Sequence, residues 1–171
     1  MDTRNELRAT VGIGGPLCCG EEHNDKNISH STQFEYWSPT FNVTYYRHLT
    51  RRWSLGGRLT YMHWTDKCQE DVTPWNYVSN HARHDCYAIM PSCQFHWLQK
   101  KHFRIHSSAS VGIGFNHQKQ TYYGEHDNVY CDPAWDLTLV GFEIGGQHLA
   151  GVIDINMGTA TLLSAGISYA W

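Results

Sequence analysis

Apolar residues recur at every second position along most of this chain, in runs separated by polar segments of two very different lengths. A period of two sends alternate side chains to opposite faces of an extended strand. In ELRATVGI (6–13), Leu7, Ala9, Val11 and Ile13 share one face against Glu6, Arg8, Thr10 and Gly12. The polar stretch CCGEEHNDKNISHSTQ follows, and then YWSPTFNVTYYRHL (36–49) sets Trp37, Phe41, Val43, Tyr45 and Leu49 against Asn42, Thr44, Tyr46 and His48. Only Thr50, Arg51 and Arg52 separate it from WSLGGRLTYMHW (53–64), where Trp53, Leu55, Leu59 and Tyr61 oppose Ser54, Gly56, Arg58 and Thr60.

The pattern repeats beyond a long polar stretch at 66–85. CYAIMPSCQFHWL (86–98) and FRIHSSASVGIGF (103–115) flank a short turn at Gln99, Lys100 and Lys101. A third long segment, 117–136, precedes TLVGFEIGG (138–146). A turn at Gln147 and His148, VIDINM (152–157) and a short link then lead to the closing strand TLLSAGISYAW (161–171). The reading is eight strands in one domain over 1–171, with short turns at one end and three long loops at the other. That is the layout of an all-β, eight-stranded antiparallel up-and-down barrel of the transmembrane kind. Pro39 and Pro91 interrupt strand candidates, and a β-bulge is expected at each.

A soluble barrel of the lipocalin kind would point its apolar face inward around an apolar ligand, whereas a membrane barrel inverts the order. Three features favour inversion. The polar face is rich in small residues, including Gly12, Gly56, Ser108, Ser110, Gly112, Gly114, Gly141 and Gly166, as suits a narrow lumen. Aromatic residues gather toward strand ends, where amphipathic rings settle at a membrane boundary. Tyr45, Trp53, Trp97, Phe103, Tyr169 and Trp171 lie on the turn side, with Trp37, Tyr61, Tyr87 and Phe115 toward the loops. Finally, Arg8, Arg58, Arg104, Glu143 and Asp154 fall on the polar face in mid-strand, so closure gathers both signs into an ion-paired, plugged interior. Such a lumen is too narrow for solute flux.

Composition agrees. Charged residues are only 17% and aromatics 13%. The mean hydropathy of −0.50 is compatible with membrane strands, whose two faces average out. A net charge of −3, with Lys and Arg in ones and twos, argues against a nucleic-acid partner. The opening MDTRNELRATVG has no basic segment followed by an apolar one, so an export signal is expected to lie outside this chain. Cys18, Cys19, Cys68, Cys86, Cys93 and Cys131 lack paired metal-ligand spacing; clustered in polar segments, they suit loop disulfides in an oxidising compartment, with the pairing open.

The last strand resembles the β-signal of bacterial outer-membrane proteins, in which a terminal aromatic is preceded by hydrophobic residues at two-residue steps. Leu163, Ala165, Ile167, Tyr169 and Trp171 match that spacing, with Trp in place of the commoner Phe. The whole chain resembles small eight-stranded barrels of the OmpA membrane domain and OmpX kind. The segment LVGFEIGGQHLAGVIDINMGTATLLSAGISY is similar to the ending of barrel proteins from Bacteroidetes. The resemblance implies a bacterial outer-membrane location, recognition by the barrel assembly machinery, lipid neighbours and a monomeric barrel. It implies no cofactor and no catalytic residue.

Two chemistries compete with a structural, adhesive or surface-interaction role. His23, His30, His81, His84, His117 and His126 fall in or near the long segments, but no pair has convincing ligand spacing and solvated loop histidines are the plainer reading, so no metal is expected. Lipid A deacylases resemble this chain in size and use a His, a Ser and an acid on the lipid-facing surface. His106 and Ser108 stand two apart, but this register points both into the lumen and supplies no orienting partner.

Overall fold

The computed structural model describes the backbone of residues 4–14, 38–73, 76–121, 125–146, 148–158 and 161–171; the side chains of 65–82, 118, 120, 121 and 125–128 are excepted. Its strands are β1 (Asn5–Gly14), β2 (Ser38–His48), β3 (Trp53–Thr73), β4 (Asn76–Gln99), β5 (Phe103–Thr121), β6 (Glu125–Gly145), β7 (Leu149–Gly158) and β8 (Leu163–Ala170). Each pairs antiparallel with the next, and β8 returns to β1 with Val11 opposite Ala165, closing the barrel. Closure leaves no exposed edge around the ring, so every strand can satisfy its backbone on both sides. The eight-stranded up-and-down barrel expected from the alternation is the fold observed.

Burial follows the alternation with the polar face inside. Val111, Ile155 and Ile167 are 66%, 46% and 58% exposed, while Arg8, Glu143 and Asp154 are only 2%, 1% and 2% exposed. The soluble alternative needed the reverse. Small inward residues let the walls approach: at Gly56 a Cβ would collide with the Tyr45 carbonyl oxygen on β2, so the backbone contact there requires glycine.

Several expectations need correction. The stretches 66–85 and 117–136 are largely paired strand: Asp66 opposes Ala82, and His117 opposes Val129. β3, β4, β5 and β6 run to 21, 24, 19 and 21 residues, against 10, 11, 10 and 8 for β1, β2, β7 and β8. Four strands therefore continue past the ring as a sheet. Polar composition concealed this because above the ring neither face needs to be apolar. The segment 15–37, including Trp37, Cys18, Cys19, His23 and His30, lies outside the described residues.

The prolines are not bulged. Ile13 opposes Pro39 in register, and on the β4–β5 side the ladder skips Met90 and Pro91 and resumes at Ser92 with its register unchanged. A missing amide donor removes one ladder bond but inserts no residue. The register shifts fall elsewhere: between Asp71 and Thr73 on β3, and within the ring as bulges near Trp97 on β4 and at Leu139 on β6. Each bulge within the ring sends two consecutive residues outward: Trp97 with Leu98, and Leu139 with Val140. Cys86, Cys93 and Cys131 lie on strands rather than in loops, and Cys93 and Cys131 are free thiols, contrary to the loop disulfides expected of them; the side chain of Cys68 is not described.

Candidate functional site

The lumen holds the densest chemistry among the described residues. Arg8 projects inward from β1, and its Nη2 meets Glu6 Oε1 at 2.8 Å and also Glu143 Oε1 on β6. Its Nη1 lies 2.8 Å from His106 Nε2 on β5 and 3.7 Å from Asp154 Oδ2 on β7, and its guanidinium sits over the Tyr46 ring at 5.6 Å. β1 and β5 are opposite walls of an eight-stranded ring, so these bonds cross the lumen. Arg104 completes the cluster, with Nη1 3.1 Å from Glu6 Oε2 and Nη2 2.5 Å from Glu143 Oε2. His106 stands between the two acids, Nδ1 3.3 Å from Glu143 and Nε2 3.2 Å from Asp154.

Arg58 lies apart from this cluster. It pairs with Asp136 and donates from Nε to Thr44 Oγ1 at 3.3 Å. Neutral side chains fill the adjoining wall: Ser108 donates to Thr138 at 2.8 Å, Thr138 donates to Asn156 Oδ1 at 2.9 Å, and Asn156 donates to Thr161 and Ser164 at 3.1 and 3.0 Å. Toward the turn end, His48 stacks on His96 at 5.3 Å and reaches Glu6 Oε2 at 3.3 Å. Buried charges this dense are tolerated because each faces the opposite sign within ion-pair distance.

Of the five charges singled out in the sequence, the structure brings Arg8, Arg104, Glu143 and Asp154 together and places Arg58 on a separate acid. Glu6, Asp136, His48 and His106 also belong to the network. Glu6 shares the parity of Arg8 and was legible as an inward acid. Asp136 was not: counting back from Glu143 by twos puts it outward, and only the extra residue at Leu139 returns it to the lumen.

The outward aromatics form two bands. Near the turns, Trp53 packs edge-on against Phe95, and Phe95 against Trp97, both at 4.8 Å; Phe103 lies 6.2 Å from Phe142, and Tyr169 stacks on Trp171 at 5.8 Å. Tyr45 faces outward beside them and donates to Asn5 Oδ1 at 3.0 Å. At the other end Tyr61 lies 5.0 Å from Tyr87, with Phe115 exposed next to it. Leu163, Ala165, Ile167, Tyr169 and Trp171 all face outward along β8 and just past it.

His106 and Ser108 are buried inside, and Ser108 bonds to Thr138, so the pair does not form a lipid-facing constellation. His84, expected near a loop, is inside as well, stacked flat on Trp64 at 4.7 Å. His117 is on β5; the side chains of His81 and His126 are not described. No group of His, Cys, Asp and Glu able to hold a metal ion occurs among the described residues.

No protein-family model and no curated protein sequence matches the chain. Solved structures do. The N-terminal β-barrel domain of OprF from Pseudomonas aeruginosa aligns over 100% of this chain and 98% of its own, with a TM-score of 0.57 and 8% identity. Ail, the attachment invasion locus protein of Yersinia pestis, solved with the heparin analogue sucrose octasulfate, aligns over 100% of both chains at a TM-score of 0.55 and 9% identity. Neisserial surface protein A aligns over 98% of this chain and 96% of its own at 0.54 and 8%. The fold is that of the small eight-stranded outer-membrane barrels, and at such identities the likeness extends to the fold alone.

Proposed function

We propose that this chain is an integral, monomeric outer-membrane β-barrel with a structural, adhesive or surface-interaction role. The observation that carries the reading is inverted burial: a continuous aliphatic belt faces out, bounded by two aromatic bands, while arginines and carboxylates are sealed inside. Water solvates such a belt poorly, and acyl chains do not. The Arg8 cluster crosses the lumen from wall to wall, so the barrel is plugged and passes no solute. The surface available to an extracellular ligand or a host surface is the sheet made by the extensions of β3 to β6, together with whatever 15–37 contributes. In this reading β8 is the segment read by the barrel assembly machinery.

Refolding into phospholipid vesicles tests this. A folded barrel migrates faster in a gel when unheated than when boiled. External protease should trim the extensions of β3 to β6 and spare the belt. A monomer that stays in solution without detergent, or a belt cut as readily as the extensions, overturns the reading.

A further inference from the structure

Charge is distributed unequally between the two ends of the barrel. The turn segments 47–53 and 99–103 carry Arg47, Arg51, Arg52, Lys100 and Lys101 and no acid. The extension segments 66–85 and 117–132 carry seven acids and three cations, a net −4. All five turn cations are exposed, and none forms an ion pair with a described residue. Among the described residues the acids at this end, Glu6 and Glu143, are buried in the lumen and engaged by Arg8 and Arg104.

The rim is also fixed in place. Leu49 and Thr50 donate to the Trp53 carbonyl at 3.0 and 3.1 Å, and Trp53 N donates to Thr50 Oγ1 at 3.0 Å. His96 N donates to the Arg52 carbonyl at 2.8 Å, tying one turn to the neighbouring strand, and Lys100 N donates to the Phe103 carbonyl at 2.9 Å. Immediately inward of both turns lies the Trp53, Phe95 and Trp97 cluster. If that cluster marks the edge of the acyl region, the five cations stand at headgroup depth, with no counter-charge among the described residues.

We propose that the turn rim is a binding surface for anionic glycerophospholipid headgroups of the leaflet it faces. Phosphate supplies the negative charge the rim lacks, arginine accepts it in a two-pronged bond and lysine as a point charge. The inference rests on the membrane reading above and adds a lipid preference to it.

The test is quenching of tryptophan fluorescence in vesicles by brominated phosphatidylglycerol or brominated phosphatidylcholine at equal mole fraction, with insertion verified on each sample by heat-dependent migration. The wild-type barrel should favour phosphatidylglycerol by at least about fivefold, the factor one cation near an anionic surface supplies. High salt should erase the preference. So should the combined variant Arg51→Gln, Arg52→Gln, Lys100→Gln, Lys101→Gln, whereas Lys119→Gln in the extension should keep it. Equal quenching by both lipids in an inserted wild-type barrel overturns the proposal and leaves the membrane reading standing; failure to insert overturns both. A preference that survives high salt, or that persists in the combined variant, also overturns it. The salt titration needs no variant, so the outcome does not hang on how the substituted chain folds.

Discussion

On β1, Leu7, Val11 and Ile13 face outward, while Glu6 and Arg8, one residue away on the same strand, are sealed inside. The outer face has no partner within the chain and is uniform; almost any large apolar residue serves there, because lipid asks only for low polarity. The inner face is specific. Arg8 meets Glu6, Glu143 and Asp154, each from a particular strand and height, so register must be correct for the charges to close. One face therefore tolerates exchange among hydrophobics, and the other depends on the identity of single atoms.

The sharpest way to break that contrast is Glu143→Ala. It takes a shared partner from Arg104, which is part-buried, and from Arg8, which is sealed from water, and unpairing a buried ion costs about 3–5 kcal/mol. Denaturant titration in detergent, followed by tryptophan emission, should show a loss of that size. A change under about 1 kcal/mol would mean that water or relaxation replaces the carboxylate and that the network is not a closed pairing. On the outer face, Ile155→Arg should cost somewhat less, about 2–4 kcal/mol at mid-membrane depth, through transfer of one cation into the acyl region. Ile155→Leu should leave stability in vesicles nearly unchanged. Equal tolerance of Arg and Leu at 155 would remove the case for a lipid-facing belt.

How much of this was legible in the chain follows from the same contrast. Strand number, order and the facing of Leu7, Val43, Leu59, Val111 and Ile153 all come from parity, which the lipid belt enforces along these strands. Parity fails where no belt enforces it. Above the ring, 66–85 and 117–132 pair as strands without a hydrophobic face to announce them, so their composition reads as loop. It also fails at the bulges: a single extra residue at Leu139 reverses the facing of everything before it on β6, which is why Asp136 was hidden and Arg58 was grouped with the wrong acids. Nothing in TLVGFEIGG marks the extra residue, since Leu139 and Val140 are both welcome outside.

Ser107 joins the two faces and offers the finest test of the comparison. It is a polar residue on the outer side, where the uniform rule has no place for it. Its hydroxyl accepts a bond from Trp97 Nε1 at 2.9 Å and donates to the Leu139 carbonyl at 2.6 Å. Trp97 and Leu139 sit at the two bulges within the ring, where the ladder leaves backbone groups without their regular partners. The serine thus satisfies, on the apolar side, a defect that exists to keep Asp136 and Thr138 on the polar side. Ser107→Ala should cost about 0.5–1.5 kcal/mol, the net worth of such a bond, with more of it felt in lipid than in a wet detergent interface. Pairing it with Asp136→Asn in a double-mutant cycle asks whether the bulge and the Arg58 ion pair are one device. Losses that fail to add, by more than about 0.5 kcal/mol, mean that the bulge positions the acid. Strict additivity would mean that Ser107 serves the backbone alone and that the two faces are independent at this point.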